Sequence, residues 1–114
     1  MKRDIFEYYA HSIAKQFHIS LDELFTQTKT SHIVDARQLL YFLCIKRNFK
    51  KSYIQTFLKE YGYTASHSTI TYGIEQAEKL IQHDPDFASM IKNIQKNDNW
   101  RIILFVWRSF KRQK

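Results

Sequence analysis

Ser66, His67, Ser68 and Thr69 place three hydroxyls and an imidazole at four consecutive positions. They stand immediately ahead of Ile70, Ile74, Ala77 and Leu80 or Ile81, whose spacing is that of one face of a helix. Hydroxyls and imidazoles both donate and accept hydrogen bonds. In the first turn of a helix they lie beside free backbone N–H groups and the positive end of the helix dipole, a favourable setting for a phosphate. They do not form a nucleophile–base pair, because His67 and Ser68 are adjacent, and adjacent helix positions do not face each other. A solvated histidine near a helix start is the plain alternative for His67. The other histidines, His11, His18, His32 and His83, are scattered, and no Cys/His spacing resembles a zinc site. Asp22 and Glu23 are explained by capping, and Glu75 and Glu78 by pairing with Lys79 or by solvation. No acid, base or nucleophile constellation is assembled. We therefore expect no enzyme activity, no metal, no cofactor and no small-molecule substrate.

A helical pair has to position that turn. Tyr53, Ile54, Phe57, Leu58 and Tyr61 follow the i, i+1, i+4, i+5, i+8 spacing of an amphipathic helix. Gly62 falls where this helix should stop, since glycine takes the left-handed conformation at C′ without steric penalty. Two helices joined by a glycine-containing turn, the second leading with hydrogen-bonding side chains, outline a helix-turn-helix. Upstream, Ile5, Phe6, Tyr9, Ile13, Ala14 and Phe17 predict a helix capped by Asp4. Ser20 and Glu23 form a capping box for a short second helix. Residues 26–32 read as a polar loop with Lys29 as its fixed charge. A long helix should then run from Val34 to about Asn48, capped by Asp35 or the preceding loop, with Lys46, Arg47, Lys50 and Lys51 around the next break. Downstream, Asp84 as N-cap, Pro85 at N1 and Asp86 in the first turn mark a restart, whose buried face is Phe87, Met90, Ile91 and Ile94.

The chain has 114 residues, 44% of them hydrophobic and 16% aromatic, which fits one globular domain with a single core. Two glycines and one proline offer little punctuation for an all-β fold. An all-α bundle is expected. The net charge of +7 points to an acidic partner, nucleic acid first and an anionic membrane second. Cys44, the single cysteine, lies within an apolar run and reads as a buried structural thiol in a reducing compartment. With no signal peptide and no run of ~20 apolar residues, the expected location is cytoplasmic. We divide the chain into residues 1–97 and a basic-aromatic extension, 98–114. In that extension Arg101, Arg108 and Arg112 form a narrow polar stripe on an otherwise apolar helix from Trp100 to Phe110. Such a helix must be covered, by its own core, a dimer partner or a membrane surface. The run also suits a strand.

Three features in order point to a family. Ile33-Val34-Asp35-Ala36-Arg37-Gln38 precedes an apolar helix, then comes Tyr61-Gly62, then His67-Ser68-Thr69-Ile70. Together they resemble the C-terminal DNA-binding domain of bacterial DnaA replication initiators, from about Ile13 to Ile94. The resemblance implies an all-α bundle with a helix-turn-helix, related to the tryptophan-repressor class, whose partner is double-stranded DNA. It carries the family's signature histidine and hydroxyls to His67, Ser68 and Thr69, at the major groove. It carries phosphate-holding positions to Arg37 and Gln38 and, one residue out of register, to Lys46. The full DNA-contacting set we expect is Lys29, Ser31, His32, Arg37, Gln38, Lys46, Lys50, Lys51, Gln55, Ser66, His67, Ser68, Thr69 and Tyr72.

The departures bear on specificity. Ala65 and Ser66 stand where the family has arginine and aspartate, so Ser66 can cap the helix but cannot make a carboxylate's base contact. The turn 62–66 is one residue longer. The loop expected at the minor groove, 27–32, carries Lys29 where the family has several arginines. The docking mode is then kept while the recognised sequence differs. No GxxxxGK[ST] phosphate loop occurs, so a free-standing DNA binder without the initiators' ATPase module is expected, acting in replication or transcription regulation. The alternative is a protein- or membrane-interaction module working through Trp100–Lys114, with a homodimer through that segment as one form.

Overall fold

The computed structural model describes residues 2–96, all of whose regular elements are helices. In chain order they are α1 (Lys2–Phe17), α2 (Leu21–Leu24), α3 (Ser31–Lys46), α4 (Lys51–Glu60), α5 (His67–His83) and α6 (Pro85–Lys96). The extension 98–114 lies outside the described residues, and so do the alternatives weighed for it.

α3 is the spine. Leu39, Leu40, Leu43 and Cys44 are fully buried along it, with α5 and α1 both packed against it. α1 contributes Phe6, Tyr9, Ala10 and Ile13 to the same core, and α5 contributes Ile70 and Ala77. Phe6 stands 5.3 Å from Phe57, and Phe25 stacks on Tyr61 at 4.6 Å between ring centroids. Such pairs stabilise beyond the area they bury. They tie α1, α2 and α4 into the core that carries α5. The Cys44 thiol is fully buried, and that burial pushes its pKa well above the ordinary value.

Three helices end by one device. His18, Asn48 and Gly62 each have a left-handed φ, of 55°, 67° and 79°. In each case the next residue turns its N–H back into the helix: Ile19 to the Ala14 carbonyl, Phe49 to Cys44 and Tyr63 to Leu58, all at 3.0 Å. This is the Schellman arrangement, in which an apolar residue follows the left-handed one and packs on the helix it has just left. Phe49 and Tyr63 are buried and Ile19 packs against the core. Only the stop at Gly62 is announced by a glycine.

The boundaries differ from expectation at α1 and α3. Asp4 lies inside the first turn of α1. α3 starts at Ser31, three residues before Val34, because the Thr30 carbonyl already accepts from the Ile33 and Val34 N–H groups. Ser31 and His32 are thus helical, the loop is shorter than 26–32, and Asp35 lies within the helix. The box between Ser20 and Glu23 is formed in both directions. Asp84 Oδ1 accepts from the Asp86 N–H at 2.9 Å, as a cap before Pro85 should.

α5 meets α3 at Gly73. A Cβ built there would lie 2.8 Å from the Tyr41 ring and 3.3 Å from Gln38 Cγ. Tyr41 is almost fully buried, so its ring has little room to yield. Gly73→Ala should lower stability by about 1–2 kcal/mol: overpacking costs about 1–3 kcal/mol and alanine's better helix propensity returns up to about 1. In urea unfolding the midpoint should fall while the slope stays constant.

Candidate nucleic-acid interface

The α4–α5 connection, residues 61–66, is fixed from both flanks. Gln55 on α4 donates its amide to the Ala65 carbonyl at 2.9 Å, and Gln27 reaches the Thr64 carbonyl at 3.5 Å. Tyr63 and Ala65 are buried beneath it. Ser66 then caps α5: its hydroxyl accepts from the Thr69 N–H at 3.1 Å and lies 3.0 Å from the Thr69 hydroxyl. His67 and Ser68 beside it are both exposed, at the helix end whose first N–H groups have no intrahelical partner.

Seen along α5, Ile70, Gly73, Ile74 and Ala77 face inward. Ser68, Tyr72, Glu75 and Lys79 form the opposite, exposed line. Tyr72 is 59% exposed, an unusual position for a large aromatic side chain. Thr71, one position away, donates its hydroxyl to the His67 carbonyl at 2.9 Å. The exposed start of α5 is thus lined by an imidazole, the hydroxyls of Ser66, Ser68 and Thr69, and a phenol, with no fixed charge among them.

Of the expected contacts, the structure gathers Ser66, His67, Ser68, Thr69 and Tyr72 on the first two turns of α5. Gln55 lies beside them, with one amide N–H spent on the turn. Lys46, Lys50 and Lys51 cluster at the α3–α4 junction, Lys46 over the Phe42 ring at 5.4 Å. Lys29, Ser31 and His32 are exposed at the start of α3. Gln38 is half-buried against the middle of α5, near Gly73 and Gln76, and away from the Ser66–Thr69 turn.

Arg37 is the clear correction. The expected phosphate-holding guanidinium is only 5% exposed. Its Nη1 donates to the Leu24 carbonyl at 3.1 Å and the Thr26 carbonyl at 2.6 Å, and its Nη2 to the Thr28 carbonyl at 2.8 Å. The group also lies 4.8 Å from the centre of the Tyr63 ring, a cation–π distance. Arg37 therefore joins the α2–α3 loop to the α4–α5 turn from inside the protein. A planar fork of donors suits three converging carbonyls, which explains why arginine occupies the site.

Sequence reasoning passed over Lys59, Ser52, Thr56 and Thr64, which with Gln55 and Ala65 line a cleft of about 310 Å³ between α4 and the turn. The signal was present: Ser52, Gln55, Thr56 and Lys59 follow i, i+3, i+4, i+7 spacing, the polar complement of the Ile54–Phe57–Leu58 stripe. Charge is segregated along the chain as well. Between Leu24 and Ile74 the only carboxylates are those of Asp35 and Glu60. Glu60 is clamped by Arg3, Nε to Oε1 at 3.0 Å and Nη2 to Oε2 at 2.7 Å. Burial raises the Asp35 carboxyl above its ordinary range, partly offset by His32. Among the described residues no group of His, Cys, Asp and Glu is arranged to hold a metal, and no helix is long and apolar enough to cross a membrane.

Comparison with known proteins gives relatives of this chain by sequence. Over 85 residues, 75% of this chain, it is 28% identical to the chromosomal replication initiator protein DnaA of Citrifermentans bemidjiense. The chain resembles the DnaA initiators. The DnaA of Flavobacterium psychrophilum is 26% identical over 100 residues, 84% of this chain, and that of Geotalea uraniireducens 27% over 84 residues. The chain spans only 18–20% of the length of these initiators. No family model matches the sequence, and no solved structure matches the chain.

Replacing Arg37 should expose its structural role. Arg37→Ala leaves the Leu24, Thr26 and Thr28 carbonyls without their donors and should cost about 2–4 kcal/mol, since hydrogen bonds from charged donors are worth about 1.5–3 kcal/mol. Arg37→Lys should recover only part of this, because an ammonium cannot reproduce the planar fork. Chemical unfolding of both variants measures it; a stability equal to the parent's would return Arg37 to a purely surface role.

Proposed function

We propose that residues 1–97 form a double-stranded DNA-binding domain that docks the start of α5 in the major groove and reads sequence there. One observation carries it: α5 projects His67, Ser68 and Tyr72 from its exposed amino-terminal half, on a turn pinned by Gln55 and Ser66. In helix-turn-helix proteins the amino-terminal residues of the second helix touch base edges while the first helix crosses the backbone. Hydroxyl and imidazole groups are able to hydrogen-bond base edges, and an exposed tyrosine offers a large apolar face to a thymine methyl. The surrounding cations Lys46, Lys50, Lys51 and Lys29 suit the phosphates on either side of a groove. Likeness to replication initiators supports the same partner. The outward face of α5 carries neither an arginine nor an aspartate in its first turn, so the preferred site should differ from the one the initiators read.

Selection from randomised duplexes, followed by sequencing of the bound fraction, tests this. The parent should enrich a motif. His67→Ala/Ser68→Ala/Tyr72→Ala should bind with residual, salt-sensitive affinity and no motif, because each lost base contact costs about 1–3 kcal/mol. Thr69 is left intact because its hydroxyl lies against the Ser66 hydroxyl at the cap. Equal, motif-free binding by both proteins would refute sequence reading by α5.

A further inference from the structure

A cleft beside α5 and the cleft between α4 and the turn differ in their chemistry. The one of about 360 Å³ beside the carboxyl-terminal half of α5 is lined by Asp35, Gln38, Gln76, Lys79, Leu80, His83 and Asp84. Two carboxylates there oppose one lysine and a histidine. The cleft between α4 and the turn, by contrast, has no carboxylate in its wall and carries Lys59 with the hydroxyls of Ser52, Thr56 and Thr64. The nearest acidic residue in sequence, Glu60, is engaged with Arg3 of α1.

We propose that the α4–turn cleft seats one backbone phosphate of the bound duplex, held by Lys59 with hydroxyl donors from Ser52 and Thr64. The proposal rests on the DNA-binding function given above and adds a contact absent from the expected set. Position supports it. The cleft ends at Ala65, one residue before the α5 cap, so a strand bordering the groove that receives α5 passes over it, where the first helix of such a pair crosses the backbone. Geometry also divides the roles. The Thr56 hydroxyl is already committed to the Ser52 carbonyl at 3.0 Å, and the Gln55 amide to Ala65. Thr56 and Gln55 therefore shape the walls, while Lys59, on an exposed position of the last turn of α4, supplies the charge. A lysine acting on a phosphate contributes as a point charge, without sequence preference.

The salt dependence of duplex binding tests it, with the parent, Lys59→Gln, Lys59→Arg and Lys79→Gln compared on a selected and a random duplex. Releasing one phosphate contact makes the slope of log K against log salt shallower by about 0.9. Lys59→Gln should show that change and lose affinity by the same factor on both duplexes. Lys59→Arg should keep the parental slope, and Lys79→Gln, on the mixed-charge cleft, should leave it unchanged. An unchanged slope for Lys59→Gln in a parent that binds, or an equal change for Lys79→Gln, overturns the phosphate seat and leaves the DNA-binding function standing. A parent that binds no duplex removes both. Lys59 is exposed, so thermal unfolding of the glutamine variant should match the parent's and exclude misfolding as the cause.

Discussion

The close approach of α5 to α3 at Gly73 governs the geometry of the molecule. A side chain there would crowd the buried Tyr41 ring, so the missing Cβ is what lets α5 lie this close to the spine helix. Everything presented by the first turns of α5 inherits its direction from that contact. α1 packs on α3 as well, so the start of α5 is backed by two layers of close packing. Interiors packed at near-crystalline density transmit small displacements, and a shift at Gly73 would re-aim His67, Ser68 and Tyr72 together.

Arg37 performs a second kind of positioning, by charge instead of shape. Its guanidinium gathers three carbonyls from the α2–α3 loop and stacks near Tyr63 of the α4–α5 turn. Two surface segments far apart in sequence are thereby referenced to one buried group. A buried cation without a carboxylate partner is costly unless its donors are satisfied. Here they are met by carbonyls around the end of α2, where a helix's unpaired oxygens and negative dipole end favour a cation.

Much of the fold was legible because its signals are local. The apolar spacing of Ile54, Phe57 and Leu58, the box at Ser20 and Glu23, Gly62, and the Asp84–Pro85 restart each report on a few neighbouring residues, and each element is where they point. The ends of α1 and α3 lie close to Phe17 and Asn48, where the apolar spacing runs out, but the left-handed turns at His18 and Asn48 were not legible, since no glycine announces them. Arg37 was misread for a related reason: an arginine near a helix start looks the same in sequence whether it faces solvent or three carbonyls, and only the loop's return decides. The site was half legible. Hydroxyls ahead of an apolar helix drew attention to α5, while the polar stripe of α4 was passed over, because only the fold sets it beside Thr64 and Ala65 of the turn.

Ser66 illustrates what a neutral cap implies. It satisfies the Thr69 N–H and orders α5, yet it brings no negative charge to a helix end whose dipole is positive. An acidic cap would compensate that dipole and would stand as a like charge toward any incoming anion. With serine, part of the electrostatic stabilisation open to α5 in the free protein is left unused. The helix end keeps its positive potential, so the amino terminus of α5 is a place where the isolated fold holds less stability than an acidic cap would give it.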